Sequence, residues 1–82
     1  MHIILYTKTG CDRCDEVMDL LEEKKVEFEE KNVYEKPEYF EELVLKSKQT
    51  MTPTLDIDGE IIADTDAEGV TGYLRKIGIA GF

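Results

Sequence analysis

The chain carries two cysteines, Cys11 and Cys14, with Asp12 and Arg13 between them. They stand in the segment Tyr6-Thr7-Lys8-Thr9-Gly10-Cys11-Asp12-Arg13-Cys14, directly after the apolar run Ile3-Ile4-Leu5-Tyr6. Directly after them apolar residues recur at Val17, Met18 and Leu21 with acids and bases between, a helical pattern. A cysteine pair at such a strand-to-helix junction has a physical consequence. The first amides of a helix have no intrahelical partner, and its dipole concentrates positive charge there. A thiolate at Cys11 is favoured by that environment, and Cys14, one turn on, is within reach of a mixed disulfide formed on Cys11. Asp12 opposes the thiolate and Arg13 favours it. This spacing points to thiol–disulfide exchange.

Metal binding is the competing use of the same sulfurs. An iron–sulfur cluster takes four thiolates, so two such chains and borrowed ligands would be needed. A zinc half-site shared in a dimer is open to a lone C-x-x-C as well. The single histidine, His2, is expected on the surface and completes no mononuclear site. No resident metal is expected.

The elements that position the pair follow from patterning. His2 to Tyr6 is expected to form a buried central strand, Thr7 to Gly10 a polar loop, and about Asp12 to Lys25 the first helix. Val26-Glu27-Phe28-Glu29 alternates with period two and continues weakly to Val33, which predicts a second, edge strand. Strand, crossover helix and strand make a right-handed unit with parallel strands. A second helix begins near Pro37, with Phe40, Leu43, Val44 and Ser47 as its inner stripe. Leu55-Asp56-Ile57 and Glu60-Ile61-Ile62 flank Asp58-Gly59, a hairpin signal because both turn residues tolerate positive φ. The last helix opens near Thr65-Asp66, where Thr65 and Glu68 fit a capping box. Val70, Tyr73, Leu74 and Ile77 form its inner face, Gly69 and Gly72 weaken it, and Gly78 ends it. The predicted fold is α/β, ordered β-α-β-α-β-β-α, with one four-stranded mixed sheet in strand order 2-1-3-4. That order leaves the C-terminal end of the first strand, with its cysteines, open to solvent.

The chain of 82 residues is read as one domain, 1–82, near the lower limit for a self-sufficient core. Its 19 acids against 10 bases give a net charge of −9, which disfavours nucleic acid as a partner. No apolar run approaches the roughly 20 residues of a membrane span. Met1-His2-Ile3 leads straight into a strand pattern, without a basic region and cleavage site, so a cytoplasmic location is expected. In that compartment a C-x-x-C is more often catalytic or metal-binding than structural.

Over nearly its whole length the chain resembles the glutaredoxin family of thioredoxin-like fold. Tyr6-Thr7-Lys8-x-x-Cys11-x-x-Cys14 is similar to that family's active-site segment and Thr52-Pro53 to its cis-proline segment. The hairpin and last helix fall where the family has them. The dipeptide Asp12-Arg13 stands where glutaredoxins commonly have Pro-Tyr, and Ile62-Ala63-Asp64-Thr65-Asp66 replaces their Gly-Gly and acidic pair. The resemblance implies a glutathione-dependent dithiol–disulfide oxidoreductase, an electron carrier acting as a monomer on glutathione and disulfide-bearing proteins. No cofactor would be tightly bound, and glutathione would be the co-substrate. Cys11 would be the nucleophile and Cys14 the resolving thiol. Lys8 and Gln49 match positions that hold the glycyl carboxylate of glutathione. Thr52, before Pro53, would pair its backbone with the substrate cysteine, and Thr65 and Asp66 match positions that bind the γ-glutamyl end. Two related activities remain open. One is that of small redoxins that take electrons from thioredoxin reductase and serve ribonucleotide reductase, whose Trp-Ser-Gly-Phe-type segment is absent here. The other is an iron–sulfur-bridging glutaredoxin.

Overall fold

The computed structural model describes residues 1–82. Seven elements follow one another: β1 (Ile3–Thr7), α1 (Asp12–Glu23), β2 (Glu29–Asn32), α2 (Pro37–Ser47), β3 (Thr54–Ile57), β4 (Glu60–Ile62) and α3 (Ala67–Lys76). The strands form one sheet in the order β2-β1-β3-β4, with β1 parallel to β2 and antiparallel to β3. This is the predicted mixed sheet of a thioredoxin-like fold. Every residue of β1 is buried, as a central strand covered on both faces requires.

Alternation along the strands divides the sheet into two unlike faces. Ile3, Leu5, Leu55 and Ile57 point to one side, where they pack with Val17 and Leu21 of α1 and Val70 and Leu74 of α3. Ile4 and Tyr6 point to the other side and meet Leu43 of α2, with Val33 beside them. The first face is apolar. The second is laced with charge: Glu42 Oε1 accepts from the Tyr6 hydroxyl at 3.0 Å and from Lys31 Nζ at 2.8 Å, and Lys46 Nζ donates to Asp56 Oδ2 at 2.8 Å.

These contacts correct the expected inner stripe of α2. The residues facing the sheet are Tyr39, Glu42, Leu43 and Lys46, while Phe40 is 41% exposed and Leu45 is 70% exposed. Partner charges on β2 and β3 turn two polar side chains inward, and hydrophobicity along the helix does not register that. The edge strand also starts later than the Val26-Phe28 alternation predicted. Lys25 adopts φ 57, and the Lys25 and Val26 amides return to the carbonyls of Glu22 and Leu21. That closes α1 in a left-handed cap whose second amide belongs to Val26, so Val26 is not free to pair as a strand. Val26 and Phe28 instead pack, partly buried, against the apolar core.

The hairpin forms as predicted, with Asp58 at φ 50 and Gly59 at φ 92, the pair of positive angles a type I′ turn needs. The start of α3 differs by one residue. Asp66, not Thr65, is the N-cap, and its Oδ1 accepts from the Gly69 amide at 2.8 Å. The capping box of Thr65 with Glu68 is therefore replaced by a single aspartate cap. Ile77, expected on the inner face, is the C-cap and 44% exposed. No helix is long and apolar enough to cross a membrane.

Candidate redox site

The cysteines lie at the C-terminal end of β1. The Thr7 carbonyl accepts from the Val33 amide at 2.8 Å, and Asn32 Nδ2 donates to Thr9 Oγ1 at 3.2 Å, so β2 holds the loop leaving β1 from the side. Gly10, at φ 80, then turns the chain in a conformation other residues rarely adopt and delivers Cys11 as the N-cap of α1. The Cys14 amide donates to Cys11 Sγ at 3.2 Å, one of the orphan donors of the helix start aimed at the sulfur. Cys11 and Cys14 are joined in a disulfide.

The two cysteines differ in burial. Cys14 is fully buried beneath the first turn of α1, whereas Cys11 retains 8% of its surface. Opposite Cys11 lies the loop before β3. The Thr52–Pro53 peptide is cis, the Thr52 hydroxyl donates to Cys11 Sγ at 3.7 Å, and the Thr52 carbonyl oxygen lies 4.0 Å from the same sulfur. The Pro53 carbonyl accepts from the Thr65 amide at 3.1 Å, tying this loop to the start of α3. Cys11, Thr52, Pro53 and Thr65 are thus brought together by contact, with Asp66 next in the chain.

Lys8 is half-buried in the loop after β1 and makes no ion pair. Gln49 is committed within its own loop. Its amide nitrogen donates to Ser47 Oγ at 2.8 Å and to Thr54 Oγ1 at 3.1 Å, and its Oε1 accepts from the Met51 amide at 2.6 Å. That side chain braces the segment leading to Pro53. The Asp66 carboxylate caps α3 through Oδ1.

One contact had no signal in the sequence. Arg13 Nη2 donates to the Thr52 carbonyl at 3.3 Å and to Asp64 Oδ1 at 3.0 Å. Asp64 holds a left-handed backbone, φ 49, which aspartate tolerates better than most residues. Arg13 and Asp64 are 51 positions apart, and only the folded sheet makes them neighbours. No group of three or more histidine, cysteine, aspartate or glutamate side chains is arranged to hold a metal ion. Two surface depressions exist, one lined by Met1 to Ile3 and Glu27 to Glu29, the other by Phe40, Glu41, Val44 and Leu45. Neither includes a residue of the cysteine site.

A thioredoxin-like sheet with a C-x-x-C pair at the start of its first helix and a cis-proline loop across from it defines a class, the dithiol redox proteins of this fold. Within that class the chain belongs to the glutaredoxin family, whose model, described as Glutaredoxin, matches residues 3–62. It is similar to an uncharacterized glutaredoxin-like protein of 8.6 kDa from the rubredoxin operon of Clostridium pasteurianum, 33% identical over 74 residues, covering 90% of this chain and 99% of that one. Among solved structures, a thioredoxin-like protein is 30% identical with a TM-score of 0.78, covering 85% of this chain and 96% of the other. The glutaredoxin-like NrdH-redoxin of Escherichia coli, described as having a thioredoxin-like activity profile, superposes with a TM-score of 0.71 at 22% identity, covering 87% and 90% of the two chains.

Proposed function

We propose that the chain, residues 1–82 acting as one domain, is a glutaredoxin-type oxidoreductase that reduces protein disulfides or glutathione mixed disulfides. The observation that carries this reading is the unequal burial of the joined cysteines: Cys11 at the helix start retains a little accessible surface and Cys14 retains none. In the reduced protein, the Cys11 thiolate attacks one sulfur of a target disulfide. The target's S–S bond breaks, its other sulfur leaves as a thiolate and takes up a proton, and a mixed disulfide joins Cys11 to the target. Cys14 then loses its proton and attacks Cys11 Sγ. The mixed disulfide breaks, the target leaves fully reduced, and the Cys11–Cys14 disulfide remains. Two electrons have passed to the target. Two glutathione thiols return them and leave as oxidised glutathione.

The chain contributes environment at each step. The Cys14 amide and the α1 dipole favour negative charge on Cys11. The backbone of Thr52 offers an edge along which a substrate cysteine pairs in an extended conformation. Lys8 supplies a cation for a substrate carboxylate, and the start of α3 offers another its Asp66 amide and the Thr65 hydroxyl, the Thr65 amide being held by the Pro53 carbonyl. Gln49 serves this site by shaping the proline loop. The scheme uses no metal ion, and a reducing, cytoplasmic setting and a monomeric protein suit it.

A second reading draws on Arg13, which bridges Thr52 and Asp64 where the family's glycine pair is replaced. With the glycine pair gone and a side-chain crossbar in that place, the contour that would take glutathione is altered, which favours a redoxin that receives electrons from thioredoxin reductase. The test treats oxidised protein with excess reduced glutathione, reading adducts by mass spectrometry and turnover by coupling to glutathione reductase. A glutathione adduct on Cys11 with sustained turnover is expected. No adduct and no turnover, with reduction by thioredoxin reductase instead, would replace the first reading by the second.

A further inference from the structure

The disulfide and the guanidinium of Arg13 share one neighbour, the Thr52 carbonyl, at 4.0 Å from Cys11 Sγ and 3.3 Å from Arg13 Nη2. An extended substrate segment paired along Thr52 therefore carries the residue beside its cysteine past Arg13. A guanidinium has five N–H donors, and here only those of Nη2 are engaged, leaving Nε and Nη1 without a protein partner. The Asp64 carboxylate that Nη2 meets is 50% exposed, and Arg13 is 45% exposed.

We propose that Arg13 is a specificity residue that binds a carboxylate on the residue flanking the target cysteine. In the free protein, Asp64 holds the place of that carboxylate. This rests on the redox reading above and deepens it. Three features carry it. A planar fork can take a carboxylate on two donors, and Arg13 already holds one carboxylate at the site through Nη2 alone, with Nε and Nη1 left over. The pair is half-exposed, so it exchanges partners at small cost. The third feature decides which partner stays. Arg13 has a second anchor, the Thr52 carbonyl, and remains over the site when Asp64 leaves, whereas the Asp64 carboxylate has no hydrogen-bond partner but Arg13. A substrate with an acidic flank replaces Asp64 like for like, while a neutral or basic flank leaves the crossbar closed across the Thr52 carbonyl.

The test uses reduced protein in single turnover against peptide disulfides identical except for Glu, Gln or Lys before the cysteine. Working in 1 M NaCl shortens the screening length to about 3 Å, so contact is read rather than the field of the acidic chain. The Glu peptide is expected to react about three- to tenfold faster than the Gln peptide, the range of one charge-assisted contact. Arg13→Gln is expected to erase that ratio, and Asp64→Asn to keep or raise it. Asp12→Asn, which adjoins Cys11 but takes no part in the bridge, is expected to leave it unchanged. A ratio unaltered by Arg13→Gln, erased by Asp64→Asn, or shifted as much by Asp12→Asn as by Asp64→Asn would overturn the proposal. If the reduced protein reacts with none of the peptides, the redox reading itself fails instead.

Discussion

At the scale of single residues the proposed scheme gives the two cysteines separable duties, and substitution tests the separation. Cys11→Ser is expected to abolish every exchange reaction. Cys14→Ser is expected to keep reduction of glutathione mixed disulfides, where glutathione itself completes the cycle. The same variant is expected to lose reduction of protein disulfides by about a hundredfold or more, because an intramolecular attack has been replaced by a bimolecular one. Parallel assays on both substrate classes check this, and equal losses on the two would argue against a resolving role for Cys14. The pair was legible in the sequence because its spacing is local: three positions along a helix start fix both sulfurs within one turn. Arg13 was legible only as a charge beside Cys11. Its partner Asp64 lies three strands further along the chain, and nothing in the spelling of either segment names the other. Gln49 shows the opposite limit, since its position matched a binding role while the structure occupies its amide with Ser47, Met51 and Thr54.

At the scale of elements, α1 and the hairpin followed from pattern, but α2 and α3 were each displaced by about one position. In α3 the difference is one of capping. Thr65, Asp66 and Glu68 all suit a helix start, and the choice falls to Asp66 because the Thr65 amide is already drawn to the Pro53 carbonyl. Asp66→Ala is therefore expected to cost about 1 kcal/mol of stability, read from the urea midpoint, with Thr65→Ala costing less. Gly72 lies within α3 with open space where a Cβ would stand, so Gly72→Ala is expected to raise stability by about 0.5–1 kcal/mol and leave exchange activity unchanged. At Gly69 a Cβ would collide with the Thr65 hydroxyl, and the same gain is not expected there. In α2 the buried Leu43 was predicted, but the rest of the inward face was missed because two of its members are charged. Apolar periodicity is blind to a glutamate and a lysine that find partners on the sheet.

At the scale of the whole molecule those charges make stability depend on pH at both ends. Burial works against the charged form of Asp56, but the Lys46 ammonium and the Gly59 amide outweigh it and hold the carboxyl below its usual range. The hydrogen bond from Lys31 does the same for Glu42. A group with a depressed folded value stabilises fully above its unfolded value, about 4, and loses that contribution as the pH falls through the folded one. Lys46 is shifted the other way. Burial disfavours its charge, but Asp56 and the Tyr6 hydroxyl prevail and raise it, so its contribution is lost as the pH rises past about 10.4. Urea midpoints measured across pH are expected to form a plateau between about 5 and 10 and to fall on either side. Asp56→Asn is expected to lose about 1–2 kcal/mol on the plateau and to flatten the acid limb. An acid limb as steep in that variant as in the parent would show that the pairing is not its cause.

The unequal burial of the two cysteines is also expected to make the protein a labelling reagent of defined stoichiometry. A bulky electrophile offered to the reduced, folded chain should stop at one equivalent, on Cys11, and reach a second only on denaturation. With Cys14→Ser the same selectivity becomes a hook, since a target that enters the site stays bound through Cys11 and can be recovered and sequenced.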